Sequence, residues 1–147
     1  MLRFFDGEQL EGKVGETAVL VATDHQGWPR AALLSAGEVL ASSSSRLVLL
    51  THAGSRTTRA LQESGRGMLL LVLAGVVHKV MLEVSEAATP QPTEAFTVLV
   101  GTVSTCEQDR ASYATVLHGI EFELTDQQEV LGRWDDQIRL LRTVQDR

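Results

Sequence analysis

Between Met68 and Val84 the chain spells out a hairpin, and this stretch restricts the fold more than any other. Met68 to Leu73 is continuously apolar, Ala74-Gly75 offers a tight turn, and Val76 to Val84 returns as a second arm. In that arm His78, Val80, Leu82 and Val84 alternate with Lys79, Met81, Glu83 and Ser85, the period-two pattern of a strand with two unlike faces. A turn this short can only join antiparallel strands. The apolar run from Met68 to Val77 is about half of what a membrane-spanning helix requires, so it reads as sheet and not as a membrane segment.

Other segments repeat the theme. Thr17 to Thr23 and Trp28 to Ser35 flank Asp24-His25-Gln26-Gly27 and read as a hairpin, with Pro29 near a strand start where a missing N–H is tolerated. Ala36 to Ala41 leads into Ser42 to Ser45, read as a surface loop. Arg46 to Thr51 is a buried strand and Phe96 to Val103 another. Glu86 to Glu94, with Pro90 and Pro92, is an exposed connection, and the first fifteen residues suggest at most a short helix.

Helix signals are few. Ser55 is the expected N-cap of a helix from Arg56 to Ser64 that Gly65 stops. Thr105 with Gln108, and Thr125 with Gln128, have the spacing of capping boxes. The first predicts a helix to about Leu117. The second predicts a closing helix whose Leu131, Trp134, Ile138 and Leu141 form one apolar stripe. His118 to Leu124 alternates and predicts a further strand, with His118 beside Ile120 and Phe122 in the core or at a barrel mouth. The total, about six or seven antiparallel strands and three helices with few crossovers, predicts a mostly β fold: a closed or partly closed barrel occupying residues 1–147 as one domain.

Composition narrows the function. The formal net charge is −6, which argues against a nucleic-acid partner, because binding phosphate backbones takes a basic surface. Cys106 is the one cysteine, so neither an internal disulfide nor a cysteine-based zinc cluster is possible, and His25, His52, His78 and His118 lack metal-ligand spacing. No metal is expected. The N-terminus turns acidic at Asp6, too early for a signal peptide, and a cytoplasmic protein without a membrane segment is the expectation.

One segment carries chemistry. In Leu50-Thr51-His52-Ala53-Gly54-Ser55-Arg56-Thr57-Thr58-Arg59 a strand ends, a glycine turns the backbone, and a helix starts with hydroxyls and two arginines in its first turn. Free N–H groups and the positive end of the dipole make such a start an anion site. Arginines there oppose the dipole unless something negative sits beside them; the other reading is an ordinary cap with solvated arginines.

Taken in order, these pieces resemble the pyridoxamine 5′-phosphate oxidase-like family of FMN-binding split β-barrels. The likeness lies in Arg30-Ala31-Ala32-Leu33-Leu34-Ser35, in Leu50-Thr51 followed by Ser55-Arg56-Thr57-Thr58-Arg59-Ala60-Leu61, and in Lys79 on the second hairpin arm, where the oxidase has a Gln. The resemblance implies a split barrel and FMN as cofactor. Arg56, with Arg30 and Arg59, would face the phosphate, while Ser55, Thr57 and Thr51 would supply hydroxyls. Leu34 and Ser35 would flank the flavin, beside Leu50, and Lys79 would meet its ring. It also implies a homodimer, which the missing solvent face of Met68 to Val77 suggests independently. Two departures stand out: Thr57 and Ser35 occupy positions where the family has lysines. The substrate signature of the oxidase is not evident near the chain end, so vitamin B6 oxidation is not implied. Three functions remain open: a flavin-dependent oxidoreductase, a non-catalytic module holding flavin, haem or another phosphorylated ligand, and a deazaflavin-dependent reductase.

Overall fold

A computed structural model describes residues 3–90 and 93–145. Seven strands form one antiparallel sheet in the order β2-β1-β5-β6-β7-β4-β3: β1 Thr17–Thr23, β2 Pro29–Ser35, β3 Val39–Ser43, β4 Arg46–His52, β5 Arg66–Leu73, β6 Val76–Glu86 and β7 Phe96–Asp109. Two α-helices, α1 Arg56–Ser64 and α2 Gln127–Gln145, and a 3-10 turn at Leu10–Lys13 complete it. The sheet curls into a half-barrel, so the fold is the mostly β split barrel that the sequence suggests, with one α-helix fewer than expected.

The curled sheet has an inside, and alternation decides which residues fill it. Leu20, Leu34, Leu47, Leu49, Leu69, Val80, Leu82 and Leu99 point inward and are almost wholly buried, with Ala60 and Leu61 of α1 packed among them. The outer face is divided. Over β3, β4 and β7, helix α2 lays Trp134, Ile138, Leu141 and Val144 against Leu40, Val48, Leu50 and Val98, which realises the predicted stripe. Over β1, β2, β5 and β6 no helix lies among the described residues; the segment around Gly119 and Ile120 covers only the end of this face, against Val72 and Thr17. The cross-strand row Leu33–Val19–Leu70–Lys79 and its neighbour Ala31–Val21–Met68–Met81 remain half-buried or exposed.

Four expectations need correction. Thr105 to Leu117 is not a helix: β7 runs on to Asp109 past a bulge at Ser104, pairing Thr105 with Met81, Glu107 with Lys79 and Gln108 with His78. The long β6 needs a partner beyond the end of β4, and its ladder of backbone hydrogen bonds outweighs a local cap signal. His118 to Leu124 is not a strand either. It contributes one isolated bridge, Glu16 to Glu121, and leaves His118, Ile120 and Phe122 exposed. The cap of α2 is Asp126, whose Oδ1 accepts from Glu129 N at 3.2 Å, one residue past Thr125. Finally, β3 runs from Val39 into the expected serine loop as far as Ser43, so only Ser44 and Ser45 remain as the turn that closes it onto β4. In the connection from Glu86 to Glu94, Gln91 and Pro92 lie outside the described residues.

Candidate functional site

The split of the barrel opens between the edge strand β2 and the end of β4, where α1 begins. A cleft of about 320 Å³ lies there, walled by β2 from Ala31 to Leu34, by Leu50 and Thr51 of β4, and by Ser55, Arg56 and Thr57 at the helix start. Six of the ten residues singled out from the sequence therefore meet at one place: Leu34, Leu50, Thr51, Ser55, Arg56 and Thr57. As an edge strand, β2 has one row of backbone N–H and C=O groups without a strand partner.

The helix start is built from local hydrogen bonds. Gly54 takes a left-handed φ of 72°, which turns the chain out of β4 at a position that suits glycine. Ser55 has extended backbone, and its Oγ accepts from Thr58 N at 3.1 Å. Its hydroxyl donates to Thr58 Oγ1 at 2.8 Å, and Thr58 Oγ1 donates to His52 O at 2.7 Å. Ser55 N in turn donates to His52 O. The Ser55 and Thr58 hydroxyls are thus committed to holding the loop against the helix. What the cap leaves over is the N–H of Arg56 and of Thr57, neither of which has a hydrogen-bond partner among the described residues. Thr57 is 6% exposed, and its side chain lines the cleft. Arg56 is exposed and has no carboxylate within ion-pairing distance among the described residues; the same holds for Arg59.

The remaining four candidates lie elsewhere. Arg30 and Arg59 line a smaller recess of about 170 Å³ that shares Arg56 with the cleft. Arg30 Nε is held by Asp24 Oδ2 at 2.9 Å. Asp24 Oδ1 accepts from Gln26 N and Trp28 N, and these hydrogen bonds, the one from Trp28 foremost, with the Arg30 guanidinium, hold the carboxyl below its ordinary range. Ser35 is buried, and both its N–H and its hydroxyl donate to Glu38 Oε2, at 2.7 and 2.9 Å. Lys79 points from the outer sheet face, ion-paired with Asp109 of β7, which raises its pKa; it does not line the cleft of its own chain.

Sequence reasoning missed Glu38. It is half-buried and lines the cleft from the turn between β2 and β3. The spacing Ser35-x-x-Glu38 resembles a capping box, and it was the available signal, but the turn it closes joins two strands.

No family profile matches the chain. It is 28% identical over 138 residues, 91% of this chain and 88% of the relative, to the uncharacterized protein YclD of Bacillus subtilis (strain 168). Among solved structures, a Clostridium acetobutylicum protein related to general stress protein 26 of B. subtilis, of the pyridoxinephosphate oxidase family, superposes with a TM-score of 0.52 at 10% identity, covering 84% of this chain and 96% of that one. The styrene monooxygenase flavin reductase of Pseudomonas putida S12 superposes with a TM-score of 0.51 at 16% identity, over 65% and 82% of the two chains. At such identities the likeness is one of fold. The fold is that of the pyridoxamine 5′-phosphate oxidase-like split barrels, the one to which the sequence motifs point. No helix among the described residues is long and apolar enough to cross a membrane.

Proposed function

We propose that this chain is an FMN-binding protein and that its cleft holds the cofactor. The observation that carries the reading is the helix start: two backbone N–H groups without partners among the described residues, the unpaired Arg56 guanidinium and the buried Thr57 gather at the edge of a cleft whose β2 wall is apolar. That is the donor set a phosphate monoester requires. About 320 Å³ falls within the range of small-molecule sites, and apolar walls from β2 and Leu50 suit a flat aromatic ring. Arg56 and Thr57 would hold the phosphate, with Arg59 and Arg30 adding positive charge from the adjoining recess. Leu34, Leu50 and Thr51 would border the rest of the cofactor. Ser35 would act through the turn it closes. When bound, the flavin supplies hydride and single-electron chemistry, and the protein orients it and excludes water.

The fold's flavin reductase supports a flavin-dependent oxidoreductase. A second reading keeps the ligand without the reaction: among the described residues, the ionisable ones lining the cleft are only Glu38, His52 and Arg56. We read residues 1–147 as one such domain, working in the cytoplasm as a homodimer through the face of β1, β2, β5 and β6 that no helix covers. Lys79 lies on that face, so its role toward a flavin depends on the second copy.

The test is calorimetric titration with FMN and with riboflavin, which lacks the phosphate. Arg56→Ala is expected to weaken FMN about ten-fold or more while leaving riboflavin nearly unchanged, given roughly 1.5–3 kcal/mol for a hydrogen bond to a charged group. Equal loss for both ligands, or wild type that binds neither, removes the phosphate-clamp reading.

A further inference from the structure

We infer that Glu38 is a specificity-determining residue of the cleft, an anchored carboxylate that accepts hydrogen bonds from hydroxyl groups of the ligand; with FMN as ligand, these are the hydroxyls of its ribityl chain. The inference rests on the FMN reading and deepens it.

Four observations on Glu38 converge. Glu38 lines the same cleft as Arg56 and Thr57. It is half-buried, and no lysine, arginine or histidine lies within ion-pairing distance among the described residues. Its Oε2 is saturated by Ser35 N and Ser35 Oγ, whereas Oε1 has no partner among the described residues. The backbone beneath it is fixed as well: Glu38 N donates to Ser35 O at 3.1 Å, Leu50 N donates to Glu38 O at 2.8 Å, and the Trp134 indole packs directly on Gly37.

A carboxylate held in one orientation keeps its free oxygen aimed without further ordering cost, which is how a binding group gains selectivity. An ionised carboxylate is an acceptor only, so what it selects is a donor. A second phosphate beside it would be repelled, and a bare ring would leave it unsatisfied. The cleft thus asks for a negative group at the helix start and hydroxyl donors beside Glu38. A phosphorylated polyol chain satisfies both.

The probes are FMN, riboflavin and lumiflavin, the last having the ring without the ribityl chain. Glu38→Gln is close in shape, and its amide oxygen can still accept from Ser35, so the turn is preserved; ligand-free thermal unfolding checks that it is folded. The expected result is a loss of about ten-fold for FMN and riboflavin alike, with lumiflavin within two-fold of wild type. Glu38→Asp, whose carboxylate falls short, should show the same selective loss. Affinities in wild type and both variants that differ by the same factor for all three ligands, or not at all, would mean that Glu38 only closes the turn, and the inference is overturned while FMN binding stands. Wild type that binds none of the three overturns the flavin reading and this inference with it.

Discussion

The indole of Trp134 occupies the space that a Cβ on Gly37 would fill, so helix α2 touches the backbone of the turn between β2 and β3 with nothing between them. Trp134 is 3% exposed and belongs to the cluster that α2 forms on β3, β4 and β7. Trp134→Ala should cost about 3–5 kcal/mol in urea unfolding, the usual range for deleting a buried large aromatic side chain. Gly37→Ala should also destabilise, by roughly 1–3 kcal/mol, because the added methyl must displace the ring. A cost below about 1 kcal/mol for Trp134→Ala would show that the helix is only a lateral contact.

Asp24 gives the first hairpin a pH dependence with a definite sign. Its folded pKa lies below the ordinary value of 3.8, chiefly through the hydrogen bond from Trp28 N and also through Arg30 and Gln26 N. The unfolded chain therefore binds the proton at a higher pH than the folded one. The stabilisation is complete above the unfolded value and is lost as pH falls through the folded one. Asp24→Asn should be less stable than wild type near pH 6, and the two should converge well below pH 4. Denaturant midpoints across that range measure it, and a gap that does not narrow on acidification would exclude Asp24 as its source.

The part of the outer sheet face that no helix covers predicts association. Leu33 is 45% exposed on the edge strand, and Val19, Leu70, Met68 and Met81 continue the apolar surface beside it. Monomers seldom leave so much contiguous apolar surface open. Sedimentation at micromolar concentration should give twice the chain mass of 16.0 kDa, and Leu70→Glu should return it to the monomer. Wild type sedimenting as a monomer would sink the proposal.

Local signals were legible wherever the chain's own neighbours decide the outcome. Ser55 and Gly65 bound α1 as the sequence indicates, the Gly75 turn joins β5 to β6, and the Trp134 stripe is buried. Six of the ten candidate residues share one cleft for a related reason: strand, turn and helix start are contiguous in sequence, and β2 reaches them across the split. Expectations failed where a distant partner decides. Thr105 to Asp109 is strand because β6 is there to pair with it, and Val39 to Ser43 is strand because β4 folds back on it. The alternation from His118 to Leu124 has no strand beside it, and alternation without a ladder is not enough. Glu38 was missed because a carboxylate three residues from a serine looks like a helix cap until the turn is seen to join two strands.

Thr57 offers the sharpest test of the proposed register, in which the resemblance to the split-barrel family sets a lysine at this position. It is 6% exposed at the second position of α1, so its side chain has the cleft as its way out. In Thr57→Lys the ammonium would extend toward the place proposed for the phosphate, near the unpaired N–H groups of Arg56 and Thr57. Without an anion, three positive groups would crowd one helix start, against the dipole, and the ligand-free variant should melt below wild type. With FMN, a charge-assisted bond to the phosphate should strengthen binding about ten-fold, and binding stabilises the folded state in proportion to its logarithm. The order of melting temperatures should therefore invert: variant below wild type without ligand, above it with saturating FMN, and still below it with riboflavin. Thermal melts of both proteins under the three conditions measure this. If riboflavin inverts the order as well, the lysine is acting on the ring or the fold, and the proposed place of the phosphate is wrong.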